Sequence, residues 1–236
     1  MVRNILNSGI LPLALFGQFA VAPLQVSAAE VKGTVTIAYQ GMFEADASAQ
    51  PQPVSVALLP AQGQHVVPRR QRHHKVEIAG NRMSPAFFTV KKGDSISFVN
   101  RDGVYHEIFS LSPGKPWSIR LDRAGSNEAT SPGLVLDMPG TTHFFCRIHN
   151  KSYARIDVVD TSYLETVQSG RSFHFAGLGK GRWKLRLAAP AAETRWLEVS
   201  AITSPPPLSL QLVSRGGGQG RGQLNAQAGV EQLYHE

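Results

Sequence analysis

The chain has 236 residues, a formal net charge of +7 and one cysteine. A single cysteine excludes an intrachain disulfide scaffold, and basic residues without interleaved aromatics argue against nucleic acid and for acidic partners or anionic surfaces. The 22 glycines and 15 prolines, set among short alternating runs of Val, Ile, Thr and Phe, predict an all-β protein.

Residues 1–29 carry Arg3, an apolar run from Ile10 to Val21 and small residues from Val26 to Ala29. This pattern predicts a signal peptide cut near Ala28 or Ala29, and hence an exported, periplasmic protein. The apolar run is shorter than the ~20 residues of a transmembrane helix, so no stable membrane insertion is expected.

Val31 to Tyr39 and Val54 to Leu59 alternate apolar and polar residues around a Gln/Ala/Ser/Pro stretch, which predicts two strands and a loop. The basic run Arg69-Arg70-Gln71-Arg72-His73-His74-Lys75 reads as a solvated connecting loop, or as a docking element for an acidic redox partner. Its adjacent histidines point to opposite faces of an extended backbone and cannot easily share one ion. Short strands follow at Val76 to Ile78, Phe87 to Val90, Ser95 to Asn100, His106 to Leu111, Thr142 to Cys146 and Ala154 to Val159, with turns at Gly93-Asp94 and Pro139-Gly140. That spacing predicts a Greek-key sandwich. Four more strands are expected at Phe173 to Phe175, Trp183 to Leu187, Trp196 to Val199 and Leu208 to Val213, with His174 on a strand surface. The Gly/Gln-rich segment 214–236 has little to bury and is expected to be disordered.

Cys146 carries the chemistry. A lone thiol in an oxidising compartment is open to oxidation, and ligation of a metal is the best reason to keep one there. His149 follows at the C-x2-H spacing, and His106 lies in a polar turn between two apolar runs. Two imidazoles and a thiolate make up the strong ligands of a mononuclear electron-transfer copper site. His143 alternates out of phase with Cys146 and should face away from it. Taken singly, a buried cysteine is an inert small hydrophobe and a strand-end histidine a surface residue; the combination is what points to metal.

Three stretches carry a resemblance: Phe87 to Asp102, His106 to Ser110, and Pro139-Gly140 leading to Phe144-Phe145-Cys146-Arg147-Ile148-His149. Together they resemble a plastocyanin-like cupredoxin over about residues 76–159. The continuation through Asp157 to Tyr163 and Gly177 to Leu185 resembles bacterial exported cupredoxins of the methylamine-utilisation type, whose flanking strands resemble a carboxypeptidase-regulatory-like β-domain. The resemblance implies a Greek-key cupredoxin sandwich (76–159) flanked by, or inserted into, a second β-sandwich (30–75 plus 160–213). It further implies that His106, Cys146 and His149 are equatorial ligands of one copper that carries single electrons between transient redox partners.

Two departures stand out. Ser152 occupies the axial or near-axial position where the family carries methionine, and a weak axial bond tunes the potential more than it holds the metal. Met83 and Met138 are the available substitutes, with core packing the expected role of both. Glu107, beside the first ligand, replaces an asparagine that ties the ligand loops together; as an outer-sphere carboxylate it is expected to lower the potential. A cupredoxin-fold binding or structural module with a weakened or lost copper site stays open as the alternative. Enzymatic catalysis is not expected, because no Ser/His/Asp set, HExxH helix or second copper cluster is visible.

Overall fold

The computed structural model describes residues 28–39, 52–61, 63, 66–111, 116–190 and 192–214. The expected leader, apart from its last two residues, and the expected tail beyond Ser214 lie outside the described residues. Within them every regular element is a strand, so the all-β expectation holds.

In chain order β1 is Ala29–Tyr39, β2 Pro53–Pro60, β3 His73–Ala79, β4 Arg82–Ser84, β5 Phe87–Lys91, β6 Ser95–Asn100, β7 His106–Leu111 and β8 Trp117–Leu121. The second half supplies β9 Leu134–Val135, β10 Gly140–Cys146, β11 Tyr153–Val159, β12 Leu164–Gln168, β13 Arg171–Leu178, β14 Arg182–Ala189, β15 Ala192–Ser200 and β16 Leu208–Ser214.

The outer strands and the inner strands form separate sheets. β1, β2 and β12 to β16 make one seven-stranded sheet in the order β12-β2-β14-β15-β16-β1-β13. Its two halves are joined by the single pair Ala192↔Ser214 and share one core around Val31, Leu58, Phe173, Trp183 and Leu212, so the sheet folds over on itself into two layers. β1 shows why: Val31, Gly33 and Val35 point inward while Lys32, Thr34 and Thr36 are exposed, a period of two that buries one face. Gly33 admits no side chain, because a Cβ there would stand 2.4 Å from the Leu208 carbonyl oxygen of β16.

The inner strands form sheets β5-β11-β10-β7-β8 and β4-β3-β6-β9. Val76, Ile78, Ile96 and Phe98 from one, and Ile108, Phe144, Cys146 and Ile156 from the other, fill a common core, which makes a sandwich. β3 starts at His73, three residues before the expected strand, and pairs in parallel with β6 from His73↔Ser95 to Ile78↔Asn100.

The basic run is therefore a solvated loop only in part: Arg69 to Arg72 precede the strand, whereas His73 to Lys75 belong to β3, and Arg69 and His74 are half-buried. The buried Asp94 carboxylate takes Arg69 Nη2 at 2.7 Å, Arg72 N at 2.9 Å and the His74 ring at 3.2 Å. The His73 ring lies between the Ser95 and Ser97 hydroxyls. Burial pushes the Asp94 carboxyl up, but the Arg72, Arg69, His74 and Lys91 donors outweigh it and hold it below its ordinary value.

The two cores meet at a charged seam. Asp157 of β11, fully buried, accepts from Arg155 Nε and Nη2 at 3.0 and 2.9 Å, from Arg186 Nη2 of β14 at 2.6 Å and from Thr141 Oγ1 at 2.9 Å. Leu58 N donates to Tyr163 O at 2.9 Å, and Thr161 Oγ1 to Leu58 O at 2.7 Å, where the chain passes from the inner strands back to the outer sheet.

Candidate metal centre

Alternation along β10 settles which side chains face the core. Thr142, Phe144 and Cys146 lie on the inner face, while His143 and Phe145 face outward. β7 runs antiparallel beside β10 with Cys146 opposite Ile108, so His106 lies two residues past the end of the pairing, level with the loop that follows Cys146. That loop, 147–152, is a tight one: Ser152 N donates to His149 O at 3.0 Å, Cys146 N to Ser152 O at 3.2 Å, and Arg147 N to Glu107 O at 2.9 Å. Closing the loop in this way folds His149 back over Cys146.

The three sequence-predicted ligands consequently converge. Cys146 Sγ is 3.6 Å from His106 Nδ1 and 3.7 Å from His149 Nδ1, and the two Nδ1 atoms are 3.1 Å apart. His106 and Cys146 are buried and His149 is half-buried. A trigonal ion bonded at about 2.0 Å to nitrogen and 2.3 Å to sulfur, the lengths zinc takes, needs donor separations of about 3.5 Å (N to N) and 3.7 Å (N to S). The observed spacings fit such an ion with a small widening between the rings. These residues can hold a metal ion.

Asp102, four residues before His106, has no local sequence signal that marks it as part of the site. Its Oδ2 lies 3.0 Å from His106 Nε2, and the same carboxylate accepts from Gly80 N at 2.6 Å and Asn81 N at 3.0 Å. Burial pushes the Asp102 carboxyl up, yet the Asn81, Gly80 and His106 donors together hold it below its ordinary value. Burial lowers the His106 ring, and the neighbouring His149 lowers it further, against the opposing pull of Asp102. A depressed histidine is neutral at physiological pH, as a ligand must be.

Ser152 is buried, with its hydroxyl donating to Asn81 O at 2.8 Å. Glu107 does contribute to joining the ligand loops, through its backbone carbonyl. Its carboxylate, however, turns outward to Arg147 Nε at 2.9 Å, with both side chains about two-fifths exposed. The neighbouring guanidinium offsets part of that charge, as far as an exposed ion pair can. Met83 packs in the inner core as expected. Met138 does not: it is 48% exposed, because it stands just ahead of the Pro139-Gly140 turn, outside the sheet pairing. His143 faces away from the cluster, its Nδ1 2.9 Å from the Tyr153 hydroxyl.

No protein-family model matches the chain, and no curated protein matches it. Solved structures similar to part of it are cupredoxins. A reduced tryptophan-to-tyrosine variant of amicyanin is 19% identical over 36% of this chain and 80% of its own, with a TM-score of 0.32. A purple cupredoxin from Nitrosopumilus maritimus is 18% identical over 36% and 98%, at 0.30. A pseudoazurin from Sinorhizobium meliloti is 20% identical over 39% and 77%, also at 0.30.

Proposed function

We propose that this protein is a periplasmic carrier of single electrons, not an enzyme, built on one mononuclear copper held by His106, Cys146 and His149. The observation that carries the proposal is the meeting of two imidazole Nδ1 atoms and one thiol sulfur at 3.1 to 3.7 Å. A bound copper would supply a one-electron couple, and a soft thiolate with two imidazoles favours it over harder ions. The chain's own part is to hold the donors still: His106 and Cys146 sit on paired strands, and His149 sits in a loop closed by three backbone hydrogen bonds. Donors that cannot move keep rearrangement between charge states small.

Partner recognition is read from the surface of the same loops. Val104, Tyr105 and Ile148 are exposed apolar groups, with Lys151 and the ion pairs of Arg101 with Glu77 and of Arg147 with Glu107 exposed among them. An apolar patch ringed by charges of both signs suits brief contact with a redox protein, and the acidic character of that partner rests on the chain's net charge of +7.

Copper titrated into reduced, metal-free protein should bind at one equivalent and give an intense thiolate-to-Cu(II) absorption in the visible. With a serine at the axial position, the bands should be rebalanced from blue toward green or yellow. Absence of stoichiometric binding and of the band would put in its place the reading that Ser152 favours, a cupredoxin-fold binding or structural module without a working copper site. For export, mass spectrometry of the secreted protein should give an N-terminus near Ala29 or Glu30, at the first residues of β1. Recovery of the intact Met1 form from membranes would overturn the periplasmic assignment.

A further inference from the structure

A histidine can offer only one ring nitrogen to a metal, and the other must be satisfied elsewhere. His106 is fully buried, so water does not serve that second nitrogen. Its Nε2 instead faces Asp102 Oδ2 at 3.0 Å. An ionised carboxylate only accepts hydrogen bonds, so Nε2 carries the proton and Nδ1, the atom turned to Cys146 and His149, is left bare.

Asp102 is itself held on every side. Besides the Gly80 and Asn81 amides, its own N–H donates to Asn100 Oδ1 at 2.9 Å. The buried Asn100 donates from Nδ2 to Val104 O at 2.7 Å and Asp122 O at 2.8 Å. The turn that Asp102 grips has positive φ at both Gly80 (57°) and Asn81 (59°), and the same turn receives Ser152 Oγ on Asn81 O. The loops of both histidines are thus tied to one turn of the opposite sheet, and the tie on the His106 side is anionic. Hydrogen bonds to a charged acceptor are roughly twice as strong as neutral ones. Carboxylate partners also raise the donor strength of a ligating ring.

We propose that Asp102 is a positioning residue of the metal centre: it fixes His106 with Nδ1 toward the metal, and its negative charge favours the more highly charged state of the bound ion. This rests on the copper reading for the charge effect and stands without it for the ring. Of the two carboxylates Asp102 and Glu107, Asp102 acts on the potential more directly, since it touches a buried ligand ring while Glu107 is paired with Arg147 at the surface.

The experiment has a metal-free arm and a loaded arm. In the metal-free wild-type protein, nitrogen-15 NMR should find His106 protonated at Nε2 with a slowly exchanging ring N–H; protonation at Nδ1 overturns the positioning role whatever the protein binds. In the loaded arm, Asp102→Asn should lower Cu(II) affinity about tenfold, at the lower end of what outer partners contribute, while Cu(I) affinity holds. That ratio is a rise in reduction potential of about 59 mV for one electron. A copper-loaded variant whose potential and Cu(II) affinity match the wild type overturns the charge effect. Wild-type protein that takes up no copper overturns the copper reading, and with it the charge effect, while the ring measurement still decides the positioning role.

Discussion

Cys146→Ser should give a folded protein that no longer shows the visible charge-transfer band and binds copper more than about 100-fold more weakly. Outer partners of metal ligands already contribute about 10- to 100-fold, and the thiolate is the strongest donor of the set and the origin of the band. Folding should survive because serine replaces cysteine with nearly the same shape at the end of β10, where only the last core position is touched. His106→Ala and His149→Ala should each weaken binding strongly, whereas His143→Ala, which loses its contact with the Tyr153 hydroxyl on the outer face, should leave both band and affinity in place. Absorption spectra and copper titrations of the four variants settle this. A Cys146→Ser protein that keeps the band, or a His143→Ala protein that loses it, would mean that the cluster is not the copper site.

Asp157→Asn should destabilise the protein by about 3–5 kcal/mol, the range for breaking a buried ion pair by removing one partner. The loss is large because two cations depend on this carboxylate. Arg186 is 7% exposed, and its Nη1 is among the buried atoms without a hydrogen-bond partner within the described residues, so Asp157 is its main compensation. Burial raises the Asp157 carboxyl, but the bonds and charge of Arg155, and then those of Arg186, outweigh it and hold it below its ordinary value. A carboxylate depressed in the folded state stabilises fully above the unfolded value, about 3.9, and its contribution disappears as pH falls through the folded one. Wild-type stability should therefore drop below about pH 4, with a smaller drop in the asparagine variant. Denaturant unfolding at pH 7 and pH 3 measures both effects, and a difference under about 1 kcal/mol at pH 7 would show that the seam contributes little.

The sequence is most legible where a signal is local. β1 alternates over its buried length, and Cys146 and His149 of the candidate centre stand out because a lone cysteine with a histidine three residues on is the spacing of a metal site. The additional strands are a different matter. β4 and β9 span three and two residues, too few to display any period, and each is held only as an edge of its sheet. β8 does alternate, with Trp117, Ile119 and Leu121 at every second position, but it directly follows Pro116 in a stretch rich in Pro and Gly, which masks it. β12, Leu-Glu-Thr-Val-Gln, is a polar edge strand lying on β2, and its pairing is its only distinguishing mark. Asp94 and Asp102 escape notice for a third reason: Arg69, Arg72 and His74 for the one, and Gly80 and Asn81 for the other, stand 20 to 25 residues earlier in the chain, and the spacing of Asp102 to His106 is by itself no signal. The basic run misleads only at its end, since its charge invites a loop throughout, whereas His73 to Lys75 pair with β6.

The hydrogen bond between Leu58 and Tyr163 brings together the two ends of the segment that holds β3 to β11, and this closure bears on the order in which the strands can assemble. β1 pairs with β13 and β16, and β2 with β12 and β14, so the first strands to leave the ribosome wait for the last. Bringing such distant segments together in an open chain costs closure entropy that no contact yet repays. Once β3 to β11 have collapsed on their own core, however, the points at which that segment begins and ends are adjacent, and the outer sheet faces only a short gap. The inner sandwich thus acts as the latch for the outer one. Until it closes, β1 and β2 are unpaired edges open to other chains, so a substitution that slows the inner core should appear first as aggregation through the outer strands.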